Sequence, residues 1–181
     1  MTLSADIALR KLRDGNTRFA EGRQQPHYSA EERARLTQEQ RPWAVVVGCS
    51  DSRVPVEVVF DVNPGELFVV RTAGHVLADA GYASVRYAVE ELECELVVVL
   101  GHDDCGAVTA AHRGHVPEWL APITEHIQFS PDATLAEAVD EHVLESVEEV
   151  RDWLKASGLP GEQPVVAGAA YQLASGKVHW L

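Results

Sequence analysis

The sequence predicts an α/β domain: a mostly parallel central β-sheet of about four to five strands flanked by helices. Two observations predict it. Three short Val-rich runs, Trp43–Val47, Leu67–Val70 and Leu96–Leu100, are apolar throughout instead of alternating, which is how strands covered on both faces read. Segments with helical apolar spacing lie between and after them, and strands alternating with helices build parallel sheets. The 181 residues fit one domain, 1–181, with an N-terminal helical arm over roughly 3–35 and a C-terminal helix plus edge-strand region over roughly 134–181.

Taken in order, Ile7, Leu9, Leu12 and Phe19 share one face of an N-terminal helix, which Gly15 is expected to break. Trp43–Val47 and Leu67–Val70 are the first two strands. Val85, Ala88, Val89 and Leu92 follow i, i+3, i+4, i+7 spacing and predict a helix leading into the third strand. The longest pattern is the stripe Leu135, Val139, Val143, Val147, Val150 and Leu154. Thr134 and Glu137 form its capping box, and Gly158 and Pro160 stop it. Glu137, Glu141, Glu145, Glu148 and Glu149 lie largely off that stripe and make a solvated acidic face. Pro164–Leu173 and Val178–Leu181 meet across Ser175-Gly176, the turn chemistry of a hairpin or an edge strand.

Composition narrows the function. Apolar residues are 46% and charged residues 24%, ordinary for a globular chain. Lys+Arg is 15 against Asp+Glu 28, a formal net charge of −13, which argues against nucleic acid and anionic membranes as partners. No apolar run approaches the roughly 18 residues of a transmembrane helix. Met1–Asp14 lacks the apolar run of a secretory signal, so a cytoplasmic location is expected. The three cysteines, Cys49, Cys94 and Cys105, are an odd count that points to metal, catalysis or burial instead of a disulfide framework.

In parallel sheets, ligands sit beyond the carboxyl ends of strands. Two strands end in residues with soft-ligand character. Cys49 closes the first, and His102 and Cys105 follow the third with H-x-x-C spacing. Two thiolates and an imidazole suit Zn²⁺, and three protein ligands leave a fourth position for catalysis. A cysteine at a strand end is also a common packing residue, so burial remains the competing reading. Cys94, late in a helical pattern, is assigned to the core or helix surface. Asp51 and Arg53 follow Cys49 closely enough to pair. They form either a structural loop salt bridge or, if Cys49 is a ligand, a carboxylate within reach of the metal. Asp51 would then bind the ion itself or accept a hydrogen bond from water beside it.

Together these motifs resemble the β-class carbonic anhydrases. The resemblance is carried by C-S-D-S-R-V (Cys49–Val54), P-G-E-L-F-V-V-R-T-A-G-H-V (Pro64–Val76), Y-A-V (Tyr87–Val89) and G-H-D-D-C-G-A-V (Gly101–Val108). The L-x-x-G-N-x-R-F pattern of Leu12–Phe19 and the closing G-A-x-Y-x-L-x-S-G-K-V segment extend it over nearly the whole chain. The resemblance implies a β-carbonic anhydrase-like fold and one Zn²⁺ per subunit held by Cys49, His102 and Cys105. It implies Asp51 and Arg53 as a catalytic dyad, with Asp51 a fourth metal ligand only if the site is closed. Gln40, Phe68 and Tyr87 match substrate-pocket positions. The implied reaction is the reversible hydration of CO₂ to bicarbonate and a proton. The implied assembly is a homodimer or homotetramer, with the pocket at the dimer interface and the N-terminal helices wrapped on the partner.

Two departures stand out. Val46 occupies a position where some relatives have a Trp that helps form a separate bicarbonate site. Asp104 puts a carboxylate beside the metal loop, where it is expected to face solvent or cap the next helix. His75 is a candidate proton shuttle or a packing residue. The rival readings are a carbonyl sulfide or carbon disulfide hydrolase on the same scaffold, a non-catalytic zinc-binding homologue, and a cysteine nucleophile with His102 as base.

Overall fold

The computed structural model of the chain describes residues 3–25, 28–114 and 116–181; two residues of the expected arm, 26 and 27, lie outside that set. In chain order the elements are α1 (Ala5–Ala20), α2 (Ala30–Leu36), β1 (Ala44–Cys49), α3 (Val56–Val59), β2 (Leu67–Thr72), a 3₁₀ turn (Ala73–His75), α4 (Asp79–Glu90) and β3 (Leu96–His102). There follow α5 (Gly106–Arg113), a second 3₁₀ turn (Glu118–Leu120), α6 (Ala121–Thr124), α7 (Leu135–Ala156), β4 (Val165–Tyr171) and β5 (Val178–Trp180).

The sheet order is β2-β1-β3-β4-β5, parallel except for the antiparallel β4–β5 pair. The expected mostly parallel sheet between helices is therefore present, and Pro164–Leu173 resolves into a strand parallel to β3 that turns back into a short edge strand. β1 and β3 are buried along their whole lengths, as continuous apolar runs require. Successive side chains alternate between two faces. Ala44, Val46, Leu96, Val98 and Leu100 pack with α1 and α3, whereas Val45, Val47, Val97 and Val99 pack with α4 and α7. β2 departs from expectation. It is the sheet edge in this chain, and Phe68, Val69 and Val70 are only half-buried.

Helix α7 carries the expected stripe, with the reciprocal Thr134–Glu137 capping box formed. Gly15 does not break α1. It is a contact point: a Cβ there would lie 1.8 Å from the Phe60 carbonyl oxygen, so only glycine lets α1 approach the end of α3 this closely. Asn16, buried beside it, donates to the carbonyls of Val59 and Gly176 and accepts from the Val178 amide. It joins the first helix to the C-terminal hairpin. No residue of helix α2 is fully buried in the described chain, and Leu36 is half-buried against Gly65. Among the described residues, no helix is long and apolar enough to cross a membrane.

The chain leaves β1 toward β2 on one side and returns to β3 on the other. That divergence opens a crevice at the carboxyl ends of β1 and β3, where the metal-type residues lie.

Candidate metal centre

Cys49 is the last residue of β1, His102 the last of β3, and Cys105 the N-cap of α5. Pairing of β1 with β3 places Gly48 opposite Leu100, which brings Cys49 to the level where β3 ends. Asp104 adopts a left-handed φ of 50°, a conformation Asp tolerates better than most residues, and this turn folds Cys105 back beside His102. The three ligand atoms lie within 4.8 Å of one another, and the two sulfurs are 4.0 Å apart. All three residues are buried.

The donor set fits zinc. Tetrahedral coordination at ordinary Zn–S and Zn–N lengths puts ligand atoms roughly 3.5–3.8 Å apart, within a few tenths of an ångström of the sulfur–sulfur distance here. His102 Nδ1–H donates to the Asp103 carbonyl at 2.7 Å, which leaves the Nε2 lone pair for a ligand. That Nε2 is buried and has no hydrogen-bond partner, an arrangement a native interior rarely leaves uncompensated. Two amides, Asp51 N–H at 3.4 Å and Gly74 N–H at 3.3 Å, point at Cys49 Sγ. The neighbouring Cys105 thiol, with these donors and His102, pulls the Cys49 thiol well below its usual range, while Cys49 and burial push Cys105 up. The opposite directions describe one proton shared between two sulfurs.

Asp51 is clamped. Its Oδ1 accepts from Arg53 N–H and Nε, each at 2.9 Å, and its Oδ2 accepts from Arg53 Nη2 at 2.7 Å. The bidentate guanidinium holds the Asp51 carboxyl well below the usual carboxylate range. Oδ2 also lies 3.9 Å from His102 Nε2, so the carboxylate stands beside the triad with both oxygens engaged by Arg53. Arg53 reaches across to the Asp104 carbonyl as well. Asp104 itself faces solvent, as expected.

Three supporting residues were not singled out from sequence. Arg71 donates to the carbonyls of Cys49 and Asp51 at 2.8 and 2.7 Å and fixes the loop from the adjacent strand. Its signal was register: Arg71 pairs with Gly48. Gly74 supplies the second amide to sulfur. His142 stacks on His75 with ring centroids 4.3 Å apart; its signal was a histidine next to the apolar stripe of α7.

His75 does not reach solvent. It is 2% exposed and neither ring nitrogen has a partner, which is packing geometry and not that of a shuttle. Burial, reinforced by the charge of His142, holds its pKa well below the usual range, and burial lowers that of His142. Both rings therefore take up a proton less readily in the fold than in the unfolded chain, where histidine protonates near pH 6.5. The unfolded state then binds more protons, so stability is lost as pH falls below that value, by at most about 1.4 kcal/mol per pH unit for each histidine. Urea unfolding of the metal-free protein at about pH 7.5 and 5.5 should show this loss, and a smaller one in His142→Leu. Equal losses in the two proteins would refute the assignment.

Gln40, Phe68 and Tyr87 lie elsewhere in this chain. Phe68 sits opposite Val45, and Thr72, four residues on, sits opposite Cys49. Phe68 is thus roughly 13 Å along the strand from the metal level. Tyr87 on α4 packs against Phe68 at 6.1 Å between ring centroids and is 46% exposed. Gln40 is exposed and shares a shallow cavity with Leu3, Trp43 and Leu92 at the amino ends of the strands. Cys94 is buried, donates to the Pro42 carbonyl, and is pushed up to about 12 by burial; it belongs to the core.

Comparison with known proteins agrees with this geometry. Residues 44–178 match the family model described as carbonic anhydrase. The chain is 44% identical to a carbonic anhydrase of Mycolicibacterium smegmatis, over 94% of this chain and 90% of that protein. It is 40% identical to carbonic anhydrase 2 of Mycobacterium tuberculosis, over 94% and 89%. Among solved structures, the Coccomyxa β-carbonic anhydrase in complex with acetazolamide superposes with a TM-score of 0.69 at 24% identity, covering 99% of this chain and 87% of that one. A β-carbonic anhydrase of Aspergillus fumigatus gives 0.66 at 26% identity, covering 97% and 89%. A family match over most of its length, and relatives this similar from end to end, mean that the chain belongs to the β-carbonic anhydrase family.

Proposed function

We propose that the chain catalyses the zinc-dependent reversible hydration of CO₂ to bicarbonate and a proton, with Asp51 and Arg53 as its catalytic pair. The observation that carries the reading is the buried Cys49–His102–Cys105 triad with the Arg53-clamped Asp51 carboxylate at its side. When bound by these three residues, zinc supplies the Lewis acidity that makes water a nucleophile near neutral pH, an effect for which carbonic anhydrases are the standard example. Arg53 keeps Asp51 ionised, so Asp51 accepts and does not donate a hydrogen bond. Its Oδ2, beside the triad, would accept a hydrogen bond from the attacking water and so turn a lone pair of that water toward carbon, the proton itself passing to solvent. Arg71 and Arg53 hold the 49–53 backbone so that this oxygen keeps its place.

We also read the unit as a single domain, with residues 3–35 as an arm and 134–181 as the closing region, working as a homodimer or homotetramer. A half-exposed Phe68–Tyr87 pair beside an uncovered strand edge, and an α2 with no fully buried residue, support a second subunit lying there. In such an assembly Gln40, Phe68 and Tyr87 of one subunit line the substrate pocket of the other. A structurally similar β-carbonic anhydrase from Sordaria macrospora is described as tetrameric. A cytoplasmic location is supported by three free cysteines.

Stopped-flow CO₂ hydration by the zinc-loaded chain, run beside carbonyl sulfide hydrolysis, tests the reaction. Rapid CO₂ turnover is the expected result. Hydrolysis of carbonyl sulfide with CO₂ hydration at the buffer background would overturn it in favour of the sulfur substrate.

A further inference from the structure

We propose that His142 is a positioning residue of the metal centre, acting on Cys49 through the Gly74 backbone. His142 Nε2 lies 3.0 Å from the Gly74 carbonyl oxygen, and the Gly74 amide lies 3.3 Å from Cys49 Sγ. A carbonyl only accepts, so His142 is the Nε2–H tautomer and donates. The link spans α7, the 3₁₀ turn and the end of β1, and its two histidine–glycine ends are 68 residues apart in sequence.

The turn needs such a hold. Gly74 and His75 both take left-handed backbone angles, φ 63° and 50°. Glycine adopts this freely, but histidine is strained there, and strained residues persist only where their surroundings fix them. The Gly74 amide and the Gly74 carbonyl flank one Cα. Holding the carbonyl from α7 therefore restrains the peptide plane on one side of that Cα, and through it limits the rotations that would swing the amide away from sulfur. A side chain at residue 74 would be strained at this φ and would crowd its neighbours, with a Cβ 3.1 Å from Ala107 Cβ and 3.3 Å from Ile127 Cδ1.

The position is otherwise a poor place for an imidazole. His142 is 1% exposed, and its Nδ1 has no partner. A leucine would fill an apolar helix face without that unpaired atom. Besides stacking on His75, the ring makes the bond to Gly74, a hydrogen bond that no hydrocarbon side chain can make. Partners that orient a metal ligand typically contribute 10–100-fold in metal affinity.

This inference requires the metal centre described above, so zinc binding is read directly, without turnover. Zinc affinity is measured by competition with a chromogenic chelator for the native chain and for His142→Leu, His142→Gln and His142→Asn. The Gln amide reaches the place of Nε2 and can still donate to Gly74, whereas the Asn amide reaches only that of Nδ1. His142→Leu and His142→Asn should lose about 10–100-fold in affinity, and His142→Gln should stay within about threefold of native. The thiolate-to-metal absorption band of the cobalt-substituted proteins should shift in the first two and not in the third. Unfolding midpoints of the metal-free variants are measured alongside.

Zinc affinity within threefold of native in His142→Leu, or a loss in His142→Gln equal to that in His142→Leu, overturns the proposal. So does a lowered metal-free midpoint with unchanged zinc affinity and cobalt spectrum, which is what a purely structural histidine would give. If His142→Leu does not fold, the Gln and Asn variants decide by the same criteria. A native chain that fails to hold zinc would sink the metal-centre reading itself, an outcome distinct from all of these.

Discussion

Cys49→Ser should lose its zinc and, with it, CO₂ hydration. The sulfur is the convergence point of the centre: it lies 4.0 Å from the Cys105 sulfur and receives the amides of Asp51 and Gly74. Those amides, with the Cys105 thiol, favour the anion that metal binding needs. A serine hydroxyl does not ionise under the same donors, and it presents a hard, neutral oxygen where a soft anionic ligand stood. Loss of an orienting partner alone costs about 10–100-fold in metal affinity, so loss of the ligand should exceed about 100-fold. Metal analysis after gel filtration, paired with stopped-flow assay, checks the expectation. Stoichiometric zinc with substantial turnover in Cys49→Ser would contradict it. Cys94→Ser is the control. Cys94 is buried away from the triad against the Pro42 carbonyl, so its variant should keep both zinc and activity.

Asp51→Ala should separate metal binding from catalysis. The carboxylate is not among the three clustered ligands, and its two oxygens are taken up by Arg53. Zinc content should therefore stay at one per subunit while kcat/KM falls by about 10²–10³, the usual cost of deleting one preorganised hydrogen-bonding group at a reacting atom. Arg53→Lys should not restore a comparable geometry in its own background. A lysine ammonium cannot make the paired contacts that Nε and Nη2 make to Oδ1 and Oδ2. An Asp51→Ala protein with full zinc and kcat/KM within threefold of native would show that the pair is a loop salt bridge, the plainer of the two readings the sequence allowed.

The elements most legible in the sequence were those whose pattern is local. β1 and β3 announced themselves by unbroken valine runs, and α7 by a stripe with a capping box at one end and Gly158 and Pro160 at the other. The triad was legible in kind, because strand ends gather in a parallel sheet, but its convergence required the β1–β3 pairing that no local pattern encodes. Gly15 misled because glycine's helix-breaking tendency is a backbone average, whereas here its absent side chain answers to Phe60, far along the chain. The half-buried state of β2 was illegible for a related reason. An apolar strand looks the same whether its outer side meets its own chain or is left open, and only the strand order distinguishes them. His142 and Gly74 are joined by one bond between distant residues, so nothing near either in sequence reports the other.

The placement of the three ligands ties the ion site to the sheet. They come from two strand ends and the first turn of a helix, and they meet only after β1 and β3 have paired. The valine layers that drive this pairing are complete without them. The full three-ligand set is therefore a product of the paired sheet and not of any one loop. His102 and Cys105 are neighbours along the chain, but Cys49 joins them only across the β1–β3 seam, so whatever loosens that seam loosens the grip on the ion.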